Sequence, residues 1–198
     1  HTRLMPVSWL GDVYKRQESI LLDDNKIKNS SYSSDLGYGF RAITGEGVAY
    51  SHSNDISKDS ILKSSENLKD TLKSKKGTYN HEIPKSNKKY YEDLNPIEEK
   101  SQNSKIKILN EVNNYIRSKG DIVSQVTASF LGEHKEIEII RSNSEVLKDV
   151  RPLVRFNVSV VLEKNGKKET GVYGIGGRQS YDESVSYTHL RAHETGIN

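Results

Sequence analysis

The chain has 198 residues, of which 33% are hydrophobic and 29% charged, and its formal net charge is +3. This length predicts about one domain, and the absence of cysteine excludes a disulfide scaffold and a cysteine-ligated metal site. The sequence has no run of about 20 apolar residues that could span a membrane, and 30 basic against 27 acidic residues argue against a dedicated nucleic-acid binder.

The two ends of the chain differ from its middle. The single methionine and the single tryptophan, Met5 and Trp9, both lie near the start. Residues 1–17 and 185–198 resemble translated sequencing-adapter read-through, with natural disordered tails as the alternative. We therefore predict an internal piece of a longer protein, with one domain over residues 18–184 between two artefactual or disordered tails. Deletion of both tails is expected to leave the thermal stability almost unchanged.

Strand patterns fill the segment that follows residue 17. Apolar residues alternate with polar ones in short runs, and clusters of turn-forming residues separate these runs. The turn signals are Asp23-Asp24-Asn25 and the two-residue hairpin loop Gly45-Glu46. The predicted strands span residues 18–22, 26–32, 37–44 and 47–52.

Two helices are predicted in the middle of the chain. Ser57 is a suitable N-cap for a helix that continues to about Lys75. Residues 76–95 form a long exposed connection. The second helix begins near Asn95-Pro96 and ends before Gly120. Its apolar residues repeat at helical spacing and are Ile106, Leu109, Val112 and Ile116.

Strand patterns return after the second helix. A strand is predicted over residues 122–131, and Gly132 is interpreted as a turn before a strand that contains Ile137 and Ile139. The order of four strands, two helices and four strands predicts an α+β fold. We expect a mostly antiparallel sheet with the two helices packed on one face.

The strongest local signal is the last hairpin. Apolar residues alternate over residues 154–162, and Asn165-Gly166 favours a two-residue loop. Such a loop sets a register in which Phe156 faces Ile175 across the two strands. The residues of this hairpin expected to be buried are Phe156, Val158 and Val160.

One histidine pair has the spacing of a metal site. His189 and His193 are four residues apart, and Glu194 follows them, so on a helix they could hold zinc beside a general base. Zinc-peptidase helices, however, place glutamate directly after the first histidine, and here Leu190 occupies that position. Because the group also lies in the predicted C-terminal tail, we predict no metal site there.

The other histidines have structural interpretations. His81-Glu82 is followed by Lys85 and Ser86, so neither HExxH nor HExxxH can be completed. This pair is therefore interpreted as part of an exposed loop. His52 ends a predicted strand and is interpreted as a hydrogen-bonded structural histidine.

A glycine-rich segment and a basic segment each resemble a ligand-binding motif superficially. The glycines lack a phosphate-loop pattern and indicate bulges or close backbone approach, with room for a peptide strand or another domain. The basic segment is interpreted as a solvated loop rather than a nucleic-acid patch. The residues concerned are Gly171, Gly174, Gly176 and Gly177 in the first segment, and Lys85, Lys88, Lys89, Tyr90 and Tyr91 in the second.

Five unusual strings occur in order along the chain. They are Ser19–Lys28, Gly37–Ala42, Tyr50–Ser57, Asp149–Arg155 and Gly176–Tyr181. Together they resemble the N-terminal domain of the TldD/PmbA metallopeptidases, also called modulators of DNA gyrase, and they look closer to the TldD branch. The resemblance is specific, because several independent strings follow the family's order.

The resemblance implies a cytoplasmic zinc peptidase that degrades or processes small unfolded peptides, often as a TldD–PmbA (TldE) pair. In the family an HExxxH helix binds the zinc in the C-terminal domain, which is expected to lie outside this chain. For that reason no catalytic, cofactor-binding or metal-binding residue is assigned to this chain.

Two functions of different classes stay open. In the first, this is the accessory domain of a metallopeptidase, which walls the substrate cleft and offers strand edges to an extended peptide. In the second, it is a non-enzymatic interaction module of a PmbA/TldE-like partner subunit. Neither function involves nucleic acid or a membrane.

The purified chain is expected to contain far less zinc than protein and to leave an unfolded peptide uncleaved. Zinc hydrolysis needs about three protein ligands and a general base, whereas His52, His81 and His134 lie on separate predicted elements. Metal analysis after dialysis, combined with a peptide-cleavage assay, measures both properties. Stoichiometric zinc together with chelator-sensitive cleavage would contradict this prediction.

Overall fold

The computed structural model describes residues 7–45, 47–73, 75, 89–142 and 146–182. The strands are β1 (Val7–Asp23), β2 (Lys26–Thr44), β3 (Gly47–Ser53), β4 (Val123–Arg141), β5 (Val146–Lys164) and β6 (Lys167–Gly177). The helices are α1 (Lys58–Leu72), α2 (Pro96–Glu99) and α3 (Gln102–Arg117). No helix within these residues is long and apolar enough to cross a membrane.

The six strands form one sheet in the order β3-β2-β1-β4-β5-β6. The sheet is mostly antiparallel and helices pack on it, so the predicted α+β class is confirmed. Within the described part of the chain, β3 and β6 are the edge strands. The chain divides into two compact units. The predicted outer boundaries of one domain over residues 18–184 stay a prediction.

The first unit comprises residues 1–15, 34–90 and 135–150. Its small core joins Ala42 and Ala49, which are paired across β2 and β3, to Leu68 and Leu72 of α1. The side chain of Ser57 caps α1 by accepting a hydrogen bond from the Ser60 amide, as predicted.

The second unit comprises residues 16–33, 91–134 and 151–198, and it contains the larger core. Leu109 of α3 is buried there, with Ile106, Val112 and Ile116 packed around the cluster as the predicted apolar stripe requires. The fully or nearly fully buried members of this core are Ile20, Leu22, Leu109, Ala128, Phe130, Val154, Phe156, Val158 and Tyr181.

All three predicted tight turns are confirmed. Asp24 and Asn25 adopt positive φ angles of 49° and 65° between β1 and β2, and Gly45 lies in the two-residue loop between β2 and β3. Asn165 and Gly166 have φ angles of 53° and 76°, as a type I′ hairpin turn requires.

The register of the last hairpin is the predicted one. Phe156 pairs with Ile175 and Val158 pairs with Tyr173. Phe156 and Val158 are buried, whereas Val160 is only partly buried and packs against the rim of the core.

The predicted start of the first strand was wrong, because β1 begins at Val7 rather than at residue 18. β1 lies between β2 and β4 in the sheet, so strand partners on both sides extend it into the predicted tail.

Two residues of the predicted N-terminal tail contact β4. Arg16 contacts His134, and Gln17 donates a hydrogen bond to Glu133 at 3.0 Å. The alternative of a disordered tail is therefore wrong for these two residues. That residues 1–17 come from outside the natural gene stays a prediction. Residues 185–198 lie outside the described residues.

Two interruptions predicted between strands are wrong, because a single strand runs through each of them. The predicted strands over 26–32 and 37–44 form the single strand β2, whose polar first half is exposed throughout, so its composition reflects solvation rather than a turn. Similarly, the strands predicted on either side of Gly132 form the single strand β4. At Gly132 a Cβ atom would overlap the hydroxyl of Tyr181, so glycine serves close packing there and not a turn.

The second helix is interrupted where a continuous helix was predicted. Asn95 caps α2, but Lys100 adopts an extended conformation, and Ser101 then caps α3 by accepting from the Ser104 amide. The break leaves the carbonyl of Ile97 available to another donor, and the Nζ of Lys105 donates to it at 2.7 Å. A side-chain cap and a buried lysine thus replace helical hydrogen bonds at this break.

Replacing Gly132 by alanine is expected to lower the free energy of unfolding by about 1–3 kcal/mol, because the new methyl group would displace Tyr181. Gly171→Ala is the matched control, since nothing lies within 4 Å of a Cβ atom at that position in β6. The control should stay within about 0.5 kcal/mol of the parent. Urea denaturation of the three proteins measures both differences, and equal stabilities would contradict the packing role of Gly132.

Candidate functional site: an exposed sheet edge

Two of the histidines singled out in the sequence, His52 and His134, lie in the described residues. His52 is exposed, and its ring stacks on that of Tyr50 with centroids 5.8 Å apart. The structure records no hydrogen bond of His52 with the described residues, so the predicted hydrogen-bonded role is wrong. His134 is buried, and its Nδ1 lies 3.3 Å from the guanidinium of Arg16. His81, His189 and His193 fall outside the described residues.

The described residues do not fit a catalytic metal. They contain no group of three histidine, aspartate or glutamate side chains arranged to hold an ion. The guanidinium of Arg16 beside His134 opposes a metal ion at this imidazole. His189 and His193 lie outside the described residues.

The basic segment is described only in part. Lys85 and Lys88 lie outside the described residues, and Tyr90 is 79% exposed, as expected of a solvated connection. Tyr91 lies beneath the guanidinium of Arg178, at 4.9 Å from the ring centroid. The ring of Tyr91 thus packs against Arg178 within the second unit.

The glycine-rich segment is the sheet edge β6. It pairs with β5 on one side, and in the described part of the chain no strand pairs with its other side. Its first eight residues are all exposed, and Val172 is exposed to 76%. Most natural sheet edges are shielded by charge, proline or bulges, but residues 170–177 contain none of these.

The hairpin geometry determines which backbone groups of β6 face outward. Lys164 and Lys167 flank the two-residue loop and therefore form a hydrogen-bonded pair, and such pairs alternate along an antiparallel ladder. The odd-numbered residues of β6 thus bond to β5, whereas the even-numbered residues from 168 to 176 turn their N–H and C=O groups away from it. This row of free backbone groups can pair with an added strand.

Glycine brings side chains of β5 close to the outer face of this edge. A Cβ atom at Gly174 would lie 2.8 Å from Oδ1 of Asn157, and one at Gly176 would lie 2.5 Å from the carbonyl of Val154. The Nε of Arg155 donates to the same Asn157 oxygen at 2.9 Å. The close backbone approach expected from the glycines is confirmed at Gly176, whereas the close neighbour of Gly174 is a side chain.

Ile175 of β6 packs against the core of the second unit, which includes Tyr181, and Tyr181 belongs to a buried ionic cluster. The side chain of Lys105 is 1% exposed, and its Nζ donates to Oε1 of Glu18 at 2.5 Å and lies 4.9 Å from the ring centroid of Tyr181. The hydroxyl of Tyr181 donates to the same Glu18 oxygen at 2.7 Å. Its ring meets Phe130 edge to face, and Phe130 in turn lies against Phe156 of β5.

The sequence pattern did not predict this cluster. One signal was present, because Lys105 lies four residues before Leu109 and so shares the buried face of α3. A lysine in an apolar stripe indicates a buried partner. Glu18 and Tyr181 are far apart in sequence, however, and no local pattern brings them together.

One carboxyl group and one phenol group in this unit have shifted pKa values. Burial, and then the hydrogen bond to Glu18, raise the pKa of the Tyr181 hydroxyl far above its ordinary value. Hydrogen bonds from Gln125 and Thr127, each 2.8 Å long, lower the pKa of the Asp23 carboxyl. Tyr181 is therefore a neutral donor at every physiological pH and serves to anchor Glu18.

Two family models match this sequence. The model described as PmbA/TldA metallopeptidase domain 1 matches residues 13–74, and the model described as PmbA/TldA metallopeptidase central domain matches residues 95–195. Together these matches include most of the predicted domain and both strands of the candidate edge.

Relatives with the name Metalloprotease TldD homolog are similar over most of the chain. The protein of Buchnera aphidicola subsp. Acyrthosiphon pisum is 32% identical over 176 residues, which are 87% of this chain and 36% of that protein. The protein of Haemophilus influenzae is 32% identical over 173 residues, which are 84% of this chain and 35% of that protein. The chain thus spans about a third of the length of these relatives.

Solved structures share the fold at low sequence identity. A Thermotoga maritima protein described as a candidate modulator of DNA gyrase superposes with a TM-score of 0.75 at 11% identity, over 96% of this chain and 43% of that one. TldE from Thermococcus kodakarensis superposes with a TM-score of 0.68 at 12% identity, over 96% of this chain and 45% of that one. At such identity the likeness supports the fold alone.

The stability difference between the parent chain and Tyr181→Phe is expected to shrink above about pH 10. The folded-state pKa of Tyr181 is raised, so its contribution is complete below the unfolded-state pKa and is lost as the pH rises, because only the unfolded chain then releases this proton. The loss amounts to at most about 1.4 kcal/mol per pH unit.

Denaturant unfolding of both proteins from neutral to alkaline pH measures this difference. Tyr32→Phe is the control for loss of one hydroxyl, since that side chain is 60% exposed. A parent-to-variant difference that stays constant across the alkaline range would contradict the buried, neutral role of Tyr181.

Proposed function

Since this chain belongs to the PmbA/TldD metallopeptidase family, we propose that it is the accessory, substrate-facing part of a longer cytoplasmic metallopeptidase. The observation that carries the proposal is its match to the family's domain 1 and central domain, together with relatives named metalloproteases that are far longer. We assign the catalytic metal, proposed to be zinc, to the remaining part of that longer protein.

In this proposal the chain binds its substrate along β6. The outward N–H and C=O groups of residues 168–176 would pair with the backbone of a small unfolded peptide, which joins the sheet as a further strand. Backbone pairing is independent of sequence, so it suits an enzyme that degrades or processes many unfolded peptides. Gly174 and Gly176 place no side chain on the outer face of β6, and this leaves room for the side chains of the peptide.

The second candidate is a non-enzymatic interaction module, and the shared fold with Thermococcus kodakarensis TldE favours it. In that case β6, or another surface, would join a TldD–PmbA type partner instead of a peptide. Hydrolysis by the longer natural protein separates the two functions. Chelator-sensitive cleavage of an unfolded peptide supports the first candidate, and partner binding without cleavage supports the second.

Val172→Pro in this chain is expected to abolish binding of an extended peptide while the hairpin stays folded. Position 172 is even-numbered, so its N–H faces away from β5, and proline is tolerated where an edge strand turns this group to solvent. Val172→Thr retains the N–H and is expected to bind like the parent.

Amide NMR spectra during titration with a short blocked peptide measure both binding and folding. Shifts at residues 170–176 that occur in the parent and the threonine variant but not in the proline variant support the proposal. Equal binding by the proline variant, or shifts confined to other strands, would contradict docking on β6.

A further inference from the structure

Arg155 of β5 lies on the outer face of the hairpin, opposite Gly176 of β6. Its side chain is exposed, and the Nε–H bond to Asn157 holds the guanidinium in place. One terminal nitrogen, Nη2, lies 3.8 Å from the position that a Cβ atom at Gly174 would occupy. The guanidinium therefore lies beside Gly174 of β6, within van der Waals distance of that position.

The charge of Arg155 is unmatched among the described residues. Arg16 and Arg117 in the same unit pair with Glu98 and Asp24, respectively. Arg178 donates to the carbonyl of Pro152 and stacks on Tyr91. For Arg155, by contrast, the structure records a bond to an amide oxygen and no carboxylate partner within the described part of the chain.

A carboxylate on an added strand could reach this guanidinium. Neighbouring strands lie about 4.8 Å apart, so a strand added to β6 would run about 10 Å from β5. Side chains on the outer face of that strand would point the same way as Arg155, and glycine at 174 and 176 leaves no side chain between them. A glutamate side chain from one direction and the arginine from the other can bridge this distance.

We propose that Arg155 forms a carboxylate-binding subsite beside the β6 edge, so that the edge prefers extended peptides with an acidic side chain on the outer face. This inference rests on the proposed docking of peptides at β6. The charge complementarity of one unmatched guanidinium identifies the ligand group as a carboxylate. Because a side chain and a peptide C-terminus both carry this group, the experiment separates the two sources, and the proposal commits to the side chain.

The experiment compares short peptides that are blocked at both ends and differ at one central residue. The parent chain should bind the glutamate peptide about 3- to 10-fold more tightly than its glutamine isostere. Arg155→Gln should remove this preference, and Arg155→Glu should favour the lysine peptide instead. Fluorescence anisotropy with labelled peptides at low ionic strength measures each affinity.

Lys164→Gln is the matched control for loss of one positive charge on the same hairpin. Lys164 is exposed on β5 beside the loop, outside the docking edge and far along the strand from Arg155, so its removal should leave the glutamate preference unchanged. Loss of the preference in this control as well would indicate a general effect of net charge and overturn the subsite.

The remaining outcomes distinguish the inference from the function on which it rests. Equal binding of the glutamate and glutamine peptides by the parent would overturn the subsite and leave docking at β6 intact. Failure of every peptide to bind would overturn the docking itself. Preference for an unblocked C-terminus over the blocked glutamate peptide would overturn the assignment to a side chain.

Discussion

A single buried ammonium group organises the second unit of this protein. Lys105 has almost no exposed surface, and an unpaired charge in that position would cost several kcal/mol. Glu18 of β1, the Ile97 carbonyl and the face of the Tyr181 ring surround it. Each of these partners comes from a different part of the chain, so the requirement to neutralise one lysine holds β1, the break between α2 and α3, and the segment after β6 together.

This cluster continues into the apolar core that supports the candidate site. Tyr181 packs against Phe130 of β4, and Phe130 packs against Phe156 of β5. Phe156 in turn faces Ile175 of β6 in the hairpin register. At Ile175 the inner face of the edge strand thus packs on this core. Such packing favours peptide docking, because a frayed strand would have to be ordered before it could pair.

Local chemistry was a sound guide to turns and hairpin register. Asn165-Gly166 adopts the positive φ angles that few other pairs accept, and the pairing of Phe156 with Ile175 follows from the loop length. The same reasoning failed at Gly132, where glycine makes room for a tyrosine that lies far away in sequence. It also failed for the polar half of β2, since an exposed strand and a loop have similar compositions.

The sequence by itself determined the fold class, the three tight turns, the register of the last hairpin and the family to which the chain belongs. These features depend on residues that are near one another, or on strings that keep their order along the chain. Only the tertiary structure decided that Lys105 is neutralised by Glu18, that β6 is an edge, and that Arg155 lies beside Gly174 with no carboxylate partner in the described residues. The physical reason is that burial and charge pairing arise between distant segments, and these meet only when the sheet has formed.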